Sequence, residues 1–223
     1  MSTVSRGSKG EEKVIATLNK IKVPHQVFNN YTVYNSTSEM THQIDHILVH
    51  PHGVFVIETK NYYGEIIADT GEGYWIKIVN DKKEIIRNPL SQNKGHVKIV
   101  KRLLKGFDII SVVVFVKNNA PYMGDENVIN LNDLLLFIDS YPYQKELKNE
   151  EIKEICRILK ENKQKISNKD HVENISYLKQ IKKEFKEEIM YAVENGICPR
   201  CEGIIIQDGY NFSCSKCSFK FKL

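Results

Sequence analysis

The segment from Gln43 to Lys60 constrains this chain more than any other, because it reads as one β-hairpin with its charges gathered at one end. Two apolar runs flank a Pro51-His52-Gly53 turn. With the bend centred between Pro51 and His52, Asp45 stands directly opposite Glu58, and Gln43 opposite Lys60. Directly opposed antiparallel residues hold their Cβ atoms roughly 5 Å apart and share a face. Ile47 then pairs with Val56 and Val49 with Val54 on the Asp45 face, while Leu48 pairs with Phe55 on the other. Both faces are apolar, so the sheet is expected to be covered on both sides. Two carboxylates this close repel unless something positive lies between them. A divalent metal ion with Lys60 beside it meets that need; a solvated strand end with ordinary charges is the plainer alternative. A slip of one residue in the bend would place Asp45 and Glu58 on opposite faces.

At 223 residues and 25.8 kDa the chain has room for one ordinary domain and a small appendage. Its 41% hydrophobic and 27% charged residues mark it as globular rather than disordered. A net charge of only +4 makes no strong electrostatic case for nucleic acid. The N-terminal residues have no apolar signal core, and no run approaches membrane-spanning length. Of five cysteines, four have metal-ligand spacing, which argues against a disulfide framework and for a reducing cytoplasm. The fifth, Cys156, reads as a small helix-face residue.

Residues 8–21 read as a helix, with Ser8 and Glu11 at capping-box spacing and an apolar stripe of Val14, Ile15, Leu18 and Ile21. Glu11 either serves that cap or faces the charged cluster. Strands are expected at 25–34, 43–50 and 53–60, then a polar hairpin around Gly71-Glu72-Gly73 leading into a strand from Tyr74. Asn88 caps and Pro89 opens a helix to about Lys105, on which Gln92, His96 and Ile99 share one face. Gln92 either points into the cleft of the carboxylates or is an exposed amide. Residues 109–116 form a fully buried strand, followed by a short strand near 127–130 and a helix from about 132. Residues 144–195 are rich in Lys, Glu, Asn and Ile, with two helices broken near Ser167-Asn168-Lys169-Asp170 and ended by Asn195-Gly196. Their charges read as a solvated helix face.

The C-terminal segment carries Cys198-Pro199-Arg200-Cys201 and Cys214-Ser215-Lys216-Cys217, two Cys-x-x-Cys pairs with twelve residues between them. Each pair forms a knuckle with both thiolates aimed at one centre, and two knuckles complete the tetrahedral shell of a structural zinc ion. Four thiolates leave no open position for a substrate. The intervening residues read as a hairpin with an Asp208-Gly209 turn. So short a segment buries little core, so the metal is expected to supply most of its folding energy. Tyr210, Phe212, Phe219 and Phe221 lie beside Lys216, Lys220 and Lys222 in the sequence. Such a mixture either binds single-stranded nucleic acid, by stacking and phosphate contacts, or packs around the zinc with lysines for solubility.

Gly10-Glu11, Gln43-Ile44-Asp45-His46, Pro51-His52-Gly53, Glu58-Thr59-Lys60-Asn61, Gly64 and Asn88-Pro89-Leu90-Ser91-Gln92 together resemble the NERD (nuclease-related) domain. That family is similar to the PD-(D/E)XK restriction-endonuclease-like superfamily. The resemblance covers residues 7–140 and implies an α/β fold there, a mixed β-sheet core flanked by helices; composition adds a charged helical linker over 144–195 and cysteine spacing a small zinc ribbon over 196–223. It further implies that Asp45 and Glu58 bind Mg²⁺ or Mn²⁺, that Lys60 assists the attacking water, and that Glu11 and Gln92 act at the cleft, to which the hairpin pairing adds Gln43 as a supporting residue. The tail resembles the four-cysteine zinc finger at the C-terminus of bacterial type IA topoisomerases, although Lys216 stands where a proline often precedes the last cysteine. The expected function is therefore metal-dependent hydrolysis of phosphodiester bonds in nucleic acid, DNA first. Zinc-ribbon residues Tyr210, Phe212, Lys216 and Lys220 would aid binding. A homodimer or an additional protein partner is compatible with this, and the competing reading is a non-catalytic DNA-binding or adaptor protein on a nuclease fold.

Overall fold

The computed structural model describes residues 3–35, 40–68, 74–124, 126–142, 145–164, 180, 183–184, 187–209 and 211–222. The chain divides into two compact units, residues 1–165 and 166–223. Among the described residues, no helix is long and apolar enough to cross a membrane.

The first unit is built on a five-stranded mixed sheet in the order β1 (Gln26–Asn35), β2 (Met40–His50), β3 (Gly53–Lys60), β7 (Ile109–Phe115), β8 (Val128–Asn130). The first three strands are antiparallel neighbours, and β3, β7 and β8 run parallel. A parallel pair needs a long crossover, which here contains a second small sheet, β4 (Glu65–Ile67), β5 (Tyr74–Val79) and β6 (Lys82–Arg87), then helix α2 (Pro89–Leu103). The β5–β6 connection is a two-residue turn with both Asn80 (φ 49°) and Asp81 (φ 61°) left-handed, the conformation that matches strand twist in tight hairpins. This Asn-Asp pair between apolar runs was a hairpin signal, yet β6 was not expected from the sequence. The hairpin around Gly71-Glu72-Gly73 lies outside the described residues.

Apolar clusters cover both faces of the main sheet. Ile47, Val49, Val54 and Val56 pack under α2 and α4 (Asn149–Asn162). Leu48, Phe55 and Ile57 pack on the other face under α1 (Thr3–Leu18) and α3 (Leu134–Ser140). Helix α1 begins five residues before Ser8, so Ser8 and Glu11 lie inside it and form no N-terminal capping box. Nothing in Val4-Ser5-Arg6 breaks a helix, which is why it runs on in that direction. Helix α4 belongs to this unit rather than to a solvated connector. Ile155 and Leu159 are fully buried, the Leu159 carbonyl accepts the Tyr31 hydroxyl at 2.9 Å, and Arg157 pairs with Glu154 and Glu161 on the outer face. Each such buried aliphatic side chain contributes about 1.5–3 kcal/mol, more than exposed ion pairs can. The break expected near Ser167-Asp170 lies outside the described residues.

In the second unit, residues 187–195 are helical, and the helix ends at Gly196 (φ 64°) as expected. Strands β9 (Ile205–Asp208), β10 (Asn211–Cys214) and β11 (Lys220–Lys222) form a small antiparallel sheet. Asp208 pairs with Asn211, so the turn centres one position later than an Asp208-Gly209 turn.

Candidate functional site

The hairpin register is the expected one. Pairing runs from His50 opposite Gly53 to His46 opposite Ile57, and there the ladder ends. A kink explains why. Ile44 and Ile47, three residues apart, both join the α2–α4 cluster, as do Phe28 and Tyr31 on the neighbouring strand. A straight strand of period two would send one of each pair to the opposite face. Asn30, at φ 47°, sits where the cross-strand partner of Asp45 would be and takes up the twist. Beyond this point β2 continues along β1, while β3 continues along β7 with Glu58 opposite Val113 and Lys60 opposite Phe115. The two strands part, leaving a notch with Asp45 on one side and Glu58 on the other. In place of the lost ladder, Asp45 Oδ2 accepts the Thr59 backbone N–H at 2.8 Å.

Helix α2 closes the notch. Asn88 is fully buried and accepts the N–H groups of Leu90 (2.9 Å) and Ser91 (3.3 Å), and Pro89 occupies the first helical position. Buried Asn93 then donates to the carbonyls of Val56 (2.8 Å) and Val112 (3.1 Å), tying the helix across the β3–β7 junction. Gln92 and His96 are carried over the carboxylate as a result. Lys60 Nζ lies 2.6 Å from Glu58 Oε1 and 3.2 Å from Gln92 Oε1, and His96 Nδ1 lies 3.4 Å from Glu58 Oε2. Glu58 is only 2% exposed, and its Oε2 makes no well-aligned hydrogen bond.

Two supporting residues have different placements. Gln43 does not meet Lys60, because the ladder has ended; its backbone pairs with Thr32 and its Nε2 donates to Asn30 Oδ1 at 2.8 Å. Glu11 approaches from α1, whose Gly10 lies so close to Asn61 that a Cβ there would come within 2.9 Å of the Asn61 side chain. Burial, then the negative charge of Glu58, raises the Glu11 pKa, so the two share one electrostatic field. His96 and Asn93 were not expected here. His96 had a signal, since it shares the face of Gln92; Asn93 lies off that stripe and had none.

The charges leave the site short of one cation. Burial, reinforced by Glu58, pushes the Asp45 carboxyl up to about 8 against the pull of the Thr59 N–H. Burial alone would raise Glu58 as well, but Lys60 and then His96 outweigh it and hold Glu58 below the usual carboxylate range. Burial would lower Lys60, but Glu58 more than compensates and its pKa rises. A half-buried Asp45 that desolvation and then Glu58 make hard to ionise, beside a buried Glu58 with an unsatisfied oxygen, suits an oxygen-ligated divalent cation. Outside the cysteines, no group of three or more His, Cys, Asp or Glu among the described residues brings its ligand atoms within 4.8 Å of one another. Two protein carboxylates would leave positions for water and a phosphate oxygen.

In the second unit, the Sγ atoms of Cys198, Cys201, Cys214 and Cys217 all lie within 4.8 Å of one another, an arrangement that could hold a zinc ion. The Lys216 backbone N–H donates to Cys214 Sγ at 3.3 Å. Beside the cluster, Phe212 stacks on Phe221 at 4.8 Å, and both pack with Phe219 and with Ala192 of the preceding helix. The expectation that Phe212 stacks on bases is therefore corrected: its ring is buried in this small core. Lys216 and Lys220 are exposed, and Tyr210 lies outside the described residues.

Residues 6–116 match the family model described as the nuclease-related domain. The chain is also similar to an uncharacterized protein of Bacillus anthracis, 34% identical over 157 residues that cover 67% of this chain and 73% of that protein. No solved structure matches.

Proposed function

The chain belongs to the nuclease-related domain family, and from that premise we propose that it is a divalent-metal-dependent nuclease hydrolysing phosphodiester bonds in DNA. The observation that carries this reading is the notch itself: buried Glu58 facing Asp45 where the strands part, with Lys60 held between Glu58 and Gln92. Asp45 and Glu58 would hold Mg²⁺ or Mn²⁺. When bound, such an ion stabilises charge on the phosphate and lowers the pKa of attacking water. Lys60 keeps its proton, because Glu58 raises its pKa, and it supplies positive charge to the phosphate or orients the water. Gln92 accepts from Lys60 and fixes the direction of its ammonium. His96 borders the outer oxygen of Glu58 and limits its rotation. In the second unit, zinc on the four cysteines would be structural, with Lys216 and Lys220 meeting phosphates.

The test is cutting of plasmid, linear duplex and single strands with Mg²⁺, Mn²⁺ or chelator, alongside calorimetric Mn²⁺ binding. Lys60→Ala is expected to lose activity on the order of 10²–10³-fold while still binding Mn²⁺. Asp45→Ala is expected to lose both. Cutting that persists in Asp45→Ala would refute the mechanism, and a folded, zinc-loaded protein that cuts nothing would favour a binding role.

A further inference from the structure

Directly after Lys60 the chain forms a strap, residues 61–64, that crosses from the main sheet to the small one. A cavity of about 610 Å³ opens there, lined by Lys60, Tyr62, Tyr63, Lys77, Val79 and Glu84. It is a built feature. Gly64 (φ 87°) lies against β5 so tightly that a Cβ would fall 1.9 Å from the Ile78 carbonyl oxygen, so only glycine lets the strap dock. Asn119 Nδ2 donates to the carbonyls of both Tyr62 (3.2 Å) and Gly64 (2.7 Å), locking the strap from the other side.

The chemistry of the walls is aromatic and basic. Lys77 Nζ lies 5.5 Å from the centre of the Tyr62 ring and 2.5 Å from Glu84. Lys117 Nζ lies 4.1 Å from the centre of the Tyr63 ring, and Tyr63 remains 53% exposed. An exposed tyrosine ring can stack on a base, and the Lys77–Glu84 pair offers a donor beside an acceptor. The volume falls in the range of small-molecule sites and exceeds what one nucleobase fills. In the aromatic-rich tail the rings are spent on a core, whereas here they line a cavity that shares Lys60 with the carboxylate notch.

We propose that this cavity is a base-binding subsite that takes an unpaired nucleobase next to the scissile phosphate, so that the substrate is single-stranded or frayed DNA. The base stacks on Tyr63, with Tyr62 behind it. Lys77 and Glu84 meet its polar edge, and Lys117 lies against the adjoining phosphate. A paired base cannot enter without leaving its stack, which makes the pocket selective for unpaired strands. This deepens the nuclease reading and rests on it for the position of the phosphate, but the binding chemistry stands on its own.

The test uses the zinc-loaded 223-residue chain with Mg²⁺ and Mn²⁺ left out, so that no cutting dependent on them occurs. Fluorescence anisotropy compares a single-stranded oligonucleotide with its duplex, and a second oligonucleotide carries 2-aminopurine, whose fluorescence falls on stacking. Tyr63→Ala is expected to weaken single-strand binding roughly 5- to 100-fold and to abolish the quench, with Tyr63→Phe retaining both. Lys77→Ala and Lys117→Ala should weaken the single strand more than the duplex. Unchanged single-strand affinity in all three alanine variants, with melting curves matching the parent, would overturn the subsite. So would a parent protein that binds duplex but no single strand. Loss of binding in these variants alongside failure of every cutting assay would leave the subsite standing and remove only the nuclease reading.

Discussion

The four cysteines gather within the stretch Cys198 to Cys217, through two short knuckles, and rest on a core of a few phenylalanines. Asp45, Glu58, Lys60, Gln92 and His96 come from two strands and a helix and are held by the main core of the first unit. Both sites concentrate negative or potentially negative groups that call for a cation, but they differ in what keeps them assembled. The cysteine segment buries little core, so on the zinc reading its fold is expected to depend on the metal. The carboxylate notch is framed by buried apolar packing and by Asn93, so it stays formed whether or not a metal is bound.

The largest way to break this comparison is to remove zinc. Cys198→Ser, or a strong chelator, is expected to cost the tail a free energy on the order of 10 kcal/mol. Amide hydrogen exchange would then lose protection across residues 197–222 and keep it across β2 and β3. Protection that survives in the tail would show that the phenylalanine core suffices.

A smaller effect concerns protons. In metal-free protein the Asp45 pKa rises on folding, from an ordinary value near 4 to about 8. Its contribution is therefore fully present below the unfolded pKa and is lost as pH rises through the folded one. That loss reaches at most about 1.4 kcal/mol per pH unit. Glu58, whose pKa is depressed, works in the opposite sense, stabilising above the ordinary carboxylate range and losing that stability in acid. Urea melts of zinc-loaded protein free of Mg²⁺ and Mn²⁺ from pH 5 to 8 should show the parent losing stability relative to Asp45→Asn as pH rises. That loss comes on top of a gain up to about pH 6.5 that both share, because burial lowers the His46 and His50 pKa to about 4. Mn²⁺ should restore stability most at the alkaline end, because protons compete for Asp45. Parallel slopes in parent and variant would sink the assignment.

The smallest is the helix cap. Asn88→Ala removes the acceptor for the Leu90 and Ser91 N–H groups and should cost about 1 kcal/mol, in a range of about 0.5–2. Because α2 carries Gln92 and His96, activity should fall with no change in zinc content. Equal losses of activity and zinc would mean that the two sites are coupled after all.

Much of this was legible in the chain. The turn at Pro51-His52 and the apolar alternation around it gave the β2–β3 register, and Asn88-Pro89 gave the start of α2. Cysteine spacing gave the cluster in the tail. Other readings failed for identifiable reasons. Gln43 was placed opposite Lys60 by extending a ladder that a kink at Asn30 and Asp45 interrupts, and alternation alone carries no sign of such a kink. Phe212 looked like a stacking platform because composition cannot tell a ring facing solvent from one facing another ring. Charges in α4 hid the apolar stripe of Ile152, Ile155 and Leu159 that buries it.

By itself the sequence determined three features that depend on short separations: the β2–β3 register, the α2 cap and the two cysteine knuckles. These rest on backbone periodicity and turn geometry, which act over a few residues. Only the tertiary structure decided where the strands part, that His96 and Asn93 reach Glu58 and its strand, and that Tyr62, Tyr63 and Lys77 line one cavity beside Lys60. Those contacts join elements far apart in the chain, and their geometry is set by how whole faces pack, which no local pattern encodes.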